Sequence, residues 1–147
     1  MEHMNWTGIV VGGLLPALLY GITGVLMKAS TQHSIGLGLY MICAGIGVTG
    51  IGLAYFCLFQ DKAANVQSIC YAIAMGTTWG LGTLLATIGL SHFGMPVSKL
   101  VPLYNMNTLI AVLLGLWIFA EWQHVSLVEL ITGAVLIVVG GTLVANA

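Results

Sequence analysis

IGLGLYMICAGIGVTGIGLAYFCLF, residues 35–59, runs without a single charged side chain. Its apolar residues are continuous and do not alternate with polar ones. That excludes the lipid-out, lumen-in pattern of a membrane β-strand and leaves a helix, long enough for the roughly 20 residues that cross a bilayer core. The segment also contains Gly45, Gly47 and Gly50 in the spacing of a dinucleotide-binding turn. With no strand before it and no βαβ unit around it, that spacing has no phosphate-binding geometry to act through, and it is read as helix interior.

Working outward, four further apolar runs of similar length appear, at residues 6–27, 66–90, 97–120 and 126–145. Residues 28–34, 60–65, 91–96 and 121–125 separate the five runs and hold most of the charges and histidines. Connections this short make consecutive helices antiparallel neighbours. The expected fold is therefore all-α: a polytopic bundle of five transmembrane helices forming a single domain over residues 1–147. The first run lacks a preceding Lys or Arg and a small-residue cleavage pattern, so it is read as a retained span and not a signal peptide.

Composition agrees. The chain has 147 residues, of which 59% are hydrophobic and 5% charged, with a mean hydropathy of +1.06. Soluble domains carry about 25% charged residues, so lipid is the expected solvent for most of this surface. A net charge of -1 gives no basic footprint for nucleic acid. Lys28 and Lys99 on one side against Lys62, partly offset by Asp61, on the other favour an outside N-terminus by a single lysine, a bias weak enough to allow insertion both ways.

Few residues suggest chemistry. Cys43, Cys57 and Cys70 fall in apolar runs as small packing groups. His3, His33, His92 and His124 are dispersed without ligand spacing, so no metal and no cofactor is expected. No nucleophile, base and orienting group recur at recognisable spacing and no Walker A loop is present, so an enzyme is not expected. Small residues four apart, Gly8 with Gly12 and Ala72, Gly76 with Gly80, predict close helix interfaces within or between subunits. Ser126 and Glu129 have the spacing of a capping box. Glu121, at the end of the fourth run, reads as a solvated or functional residue of the turn.

The fourth run is the exception to the apolar rule. It carries Ser98, Lys99, Pro102, Tyr104, Asn105, Asn107 and Thr108 within three turns. Charged and amide groups at bilayer depth are costly, about 2.5–3.5 kcal/mol for a central charge on insertion scales. Ser98, Pro102 and Asn105 share one helical face while Lys99, Tyr104 and Asn107 point elsewhere, so protein or a wet cavity should surround this helix. Pro102 also deprives the Ser98 carbonyl of its usual donor. The functional reading is a substrate-lining helix with Lys99, Tyr104, Asn105, Asn107, Ser98 and Pro102 as binding candidates. The structural reading is that Lys99 snorkels to the interface and the asparagines bond helices together. Tyr20, Thr23, Thr77, Thr78, Trp79 and Thr83 are secondary pathway candidates, with hydroxyls that can instead bond back to their own helix.

The stretch Val97-Ser98-Lys99-Leu100-Val101-Pro102-Leu103, the run ending Phe119-Ala120-Glu121, then Leu130-Ile131-Thr132-Gly133-Ala134 and Gly140-Gly141, with Tyr20-Gly21 and Lys28, resembles the EamA-type branch of the drug/metabolite transporter superfamily. The likeness is to its small five-helix members, each equivalent to half of the ten-helix ones. Ala120 departs from the glycine usual there, and Tyr20 from the common tryptophan. The resemblance implies a permease of the cell inner membrane that moves small metabolites or drugs by alternating access. It also implies pairing with an oppositely inserted second copy, a possibly antiparallel homodimer, or with a paralogous five-helix protein, since odd-numbered halves form inverted repeats. A non-transporting membrane subunit and a lipid-carrier flippase subunit are the other readings. A four-helix multidrug exporter is disfavoured, because the first span has no carboxylate and there is one span too many.

Overall fold

The computed structural model describes residues 6–59, 63–123 and 125–147. The expectations placed on Glu2, His3, Asp61, Lys62 and His124 lie outside those residues, as does the side chain of Glu121. Five helices are long and apolar enough to cross a membrane. They are α1 (Trp6–Gln32), α2 (Leu37–Leu58), α3 (Val66–Ser91), a fourth span, Val97–Ile118, built from α4 (Val97–Tyr104) and α5 (Asn107–Ile118), and α6 (Leu127–Asn146). No strand occurs among the described residues.

The ends follow local chemistry. α1 runs past Lys28, because Ser30 and Thr31 turn their hydroxyls back onto the carbonyls of Met27 and Lys28, at 3.0 and 2.9 Å, and do not compete with the helix. Asn65 caps α3 by accepting the Gln67 N–H at 2.9 Å. Gly94, at φ +62°, follows the end of α3 in the left-handed region that glycine enters without steric cost. α5 stops at Ile118 because Ala120 takes φ +54°, and a short 3-10 turn, Glu121–Gln123, follows. Within α1, Val10–Leu14 widens to π geometry just ahead of Pro16. A proline there has no N–H and would strike the Gly12 carbonyl of a regular α-turn; the wider register relieves that clash.

The chain divides into two compact units, Met1–Phe93 and Gly94–Ala147. In the first, α1 packs on α3, and the buried residues lie in the C-terminal halves of both: Gly24 and Met27 on α1, Thr87, Gly89 and Leu90 on α3. Thr87 is fully buried and satisfies its hydroxyl on the Thr83 carbonyl, 2.8 Å away. α2 touches α3 near Met41, whose methyl lies 3.7 Å from where a Gly80 Cβ would be. In the second unit, α6 runs against both α4 and α5, with Ala134 and Gly141 buried.

α2 gives the clearest statement about solvent. It is apolar on all faces and buries no residue at all. A helix apolar all round belongs either in a large core or in lipid, and here the core is absent. The most apolar stretches of α3 and the fourth span are likewise 0% buried, and those of α1 and α6 only 6% and 11%. Exposed aromatic residues gather at span ends, with Trp6 opening α1, Trp117 and Phe119 closing the fourth span, and Tyr55 stacked on Phe59 at 4.4 Å. This is the belt that amphipathic rings form at the bilayer interface. The chain is a multi-pass membrane protein.

Of the small-residue positions, a Cβ built on Gly12 or Gly76 would have nothing within 4 Å, while one on Gly80 would meet the Met41 methyl.

Candidate functional site

The fourth span is broken near its middle. α4 ends at Tyr104 and α5 begins at Asn107, with Asn105 and Met106 in a turn between them. α4 has eight residues, so at ~1.5 Å per residue the break lies about 12 Å along a core about 30 Å thick.

Hydrogen bonds explain the break. Regular α geometry would send the Met106 N–H to Pro102 and the Leu109 N–H to Asn105. Met106 instead bonds the Leu103 carbonyl at 3.2 Å, and Leu109 bonds that of Met106 at 3.1 Å. The Asn105 carbonyl is taken by Thr108 twice, through its N–H at 3.1 Å and its hydroxyl at 2.8 Å. Asparagine and threonine, which offer the backbone such alternatives, are here in sequence at one turn. Pro102 itself stays within α4. The expected opening at Ser98, four residues before the proline, is therefore accompanied by a larger irregularity three residues after it.

The break changes which candidates meet. Asn105 and Asn107 flank it, both exposed, and neither side-chain amide bonds a described residue. Tyr104 is half-buried at the end of α4, Pro102 lies one half-turn earlier, and Ser98 is exposed in the first turn. Lys99, half-buried, stands in the first turn of α4, at the end of the span and not at its centre. That position matches a cation that reaches the polar interface. Asn105 still bonds the Val101 carbonyl four residues back, at 3.1 Å, so the tighter turn shifts the register only beyond it.

The Pro102 carbonyl, released from the ladder, faces α6. A Cβ on Gly141 would stand 3.1 Å from its oxygen. The approach is closer than a side chain ordinarily allows, a reason for Gly141 that no spacing in the sequence discloses.

The secondary candidates belong to the other unit. Thr23, Thr77 and Thr78 spend their hydroxyls on the carbonyls of Leu19, Ile73 and Ala74, at 2.9, 2.9 and 2.8 Å, as the structural reading expects. Tyr20 is 68% exposed. Trp79 lies mid-span, away from the aromatic belt, and shares a helical row with Thr83 and Thr87.

At the start of α6, Ser126 has the extended backbone of a cap, and its carbonyl accepts the Leu130 N–H at 3.0 Å. Its hydroxyl caps nothing, and Glu129 does not return a bond to it. The expected capping box is not formed. At a span end the first-turn donors face the polar interface, where water can satisfy them.

Among the described residues no group of His, Cys, Asp and Glu could hold a metal ion. No family model, curated protein or solved structure matches the chain.

Proposed function

We propose that the chain is a carrier of small metabolites or drugs, an inner-membrane permease of EamA type that works by alternating access as a dimer of five-helix subunits. The observation that carries this reading is the broken fourth span, with Asn105 and Asn107 exposed and unpartnered among described residues near mid-bilayer depth. Irregular backbone and free amides persist at that depth only beside protein or a water-filled cavity. Discontinuous helices of this kind are how many carriers build a binding site, because half-helix ends and freed carbonyls can meet polar substrate groups. Tyr104, Asn105 and Asn107 supply hydrogen bonds at the turn, Ser98 and the Pro102 bend shape the approach, and Lys99 sets the charge at the mouth. The largely unburied helices leave ample surface for a second, oppositely inserted copy or a paralogous subunit.

The test is tracer uptake into proteoliposomes, using a panel of small amines, amino acids and organic phosphates. Wild-type protein moves at least one of them, and Asn105→Leu and Asn107→Leu each reduce that flux about tenfold, the loss of roughly one hydrogen bond to a polar substrate. Equal flux in all three proteins removes the turn from the pathway. A protein that moves nothing alone and copurifies with one fixed partner is instead a membrane subunit of a larger complex.

A further inference from the structure

The N-terminal part of α1, the four residues Trp6–Ile9 and the five of the π-turn Val10–Leu14, is set off from the rest of the helix. Leu15 donates its N–H to the Val10 carbonyl, five residues back, and regular α geometry resumes there with Pro16 second in it. Pro16 has no N–H, so the Gly12 carbonyl lacks the donor four residues on. The Val11 carbonyl lacks the one five residues on, while its other donor, Leu15, serves Val10. The backbone ladder of α1 is therefore weakened at two successive carbonyls. Gly12 and Gly13 stand at the same turn, and a Cβ on either would have nothing within 4 Å. Missing bonds and missing side chains at one turn are what allow a helix to bend.

No described residue buries this arm. Residues 6–15 are all exposed, whereas the buried residues of α1, Gly24 and Met27, come later, where α1 packs on α3. α3 is arranged alike: Thr87, Gly89 and Leu90 are buried near its C-terminal end, and residues 66–79 are all exposed. The two helices run in the same direction, because α2 reverses between them, so their uncovered halves lie toward the same side of the membrane. We propose that α1 is hinged at the π-turn, and that Trp6–Leu14 swings as a gate over the gap beside the first half of α3. A proline kink held by neighbours keeps one angle; here neither the ladder nor a packed face fixes it. At ~1.5 Å per residue the arm is about 13 Å long, so a change of about 20° moves its tip by roughly 5 Å. The hinge stands independently of the transport reading, since it concerns motion and not flux.

The measurement is double electron-electron resonance on the full chain in phosphatidylcholine nanodiscs, with Cys43, Cys57 and Cys70 replaced by alanine. Spin labels on Thr7→Cys and Ser68→Cys, both exposed, report the distance from the arm to α3. Labels on Leu26→Cys and Leu85→Cys, exposed positions on the packed halves, give the breadth of a fixed pair. The arm distances are expected to spread over roughly 5 Å more than the fixed pair. Pro16→Ala restores the missing N–H and narrows that spread to the fixed pair's width, with helical circular dichroism equal to the parent. Gly12→Ala combined with Gly13→Ala stiffens the turn without touching the proline and narrows it as well. An arm distribution no broader than the fixed pair overturns the proposal. So does a spread unchanged in both sets of variants, which assigns the breadth to fraying of the helix end.

Discussion

Gly141 of α6 meets the backbone of Pro102, so that a Cβ added to the glycine would lie 3.1 Å from the proline carbonyl oxygen and 3.4 Å from Met106 Cγ. The contact depends on the broken span, since the carbonyl is free to face α6 only because Met106 bonds Leu103. Gly140, its neighbour in sequence, has nothing within 4 Å. The two glycines are therefore expected to respond oppositely to alanine. Gly140→Ala gains about 0.5–1 kcal/mol from helix propensity alone. In Gly141→Ala the added methyl presses on a backbone atom that cannot rotate away, for a loss of about 1–3 kcal/mol. Thermal unfolding of both variants in detergent separates them, and equal shifts would remove the close contact from the account.

Ala120 holds φ +54°, where a Cβ costs about 1–2 kcal/mol. Ala120→Gly should raise the unfolding free energy by about 1 kcal/mol. The mirror test is Gly94→Ala, at φ +62° with open space around it, which should cost about the same through backbone strain alone. Unfolding midpoints for the pair check both signs.

Thr108 takes the Asn105 carbonyl twice, through its N–H at 3.1 Å and its hydroxyl at 2.8 Å, where a regular helix would send the Leu109 N–H. In Thr108→Val the hydroxyl bond is lost and the N–H bond remains, which opens the carbonyl's second lone pair to Leu109. Hydrogen exchange at the Leu109 amide should slow by about tenfold, the worth of roughly 1 kcal/mol of added hydrogen bonding. Exchange as fast as wild type would place the cause of the break elsewhere, in the asparagines themselves.

The five spans were legible because lipid imposes a continuous apolar run of fixed length, and the structure starts the third and fourth at Val66 and Val97 as the sequence indicates. α1 proved longer, to Gln32, because hydroxyls that bond backward do not end a helix. The polar crowding of the fourth span was equally visible in Asn105, Asn107 and Thr108. Its consequence was not, since whether a threonine hydroxyl takes a carbonyl from the ladder is decided by local geometry that composition does not encode. Small residues at four-residue spacing marked Gly12 and Gly76, which meet nothing, and missed Gly141, whose partner is a carbonyl freed elsewhere in the chain. The Ser126 and Glu129 spacing suggested a reciprocal cap; at the polar end of a span, water competes for those donors, and the side-chain bond is not made.

Solvent access at the break decides the matter most directly. In a background with Cys43, Cys57 and Cys70 replaced, single cysteines at Asn105 and Asn107 would be treated with a membrane-impermeant thiosulfonate in sealed vesicles of both orientations. Val48→Cys, on the exposed and uniformly apolar α2, serves as the lipid-facing control. The expected result is modification at both asparagine positions and none at Val48→Cys. If Asn105→Cys and Asn107→Cys stay as unreactive as Val48→Cys from either side, with and without added solutes, the turn is dry and the carrier account fails.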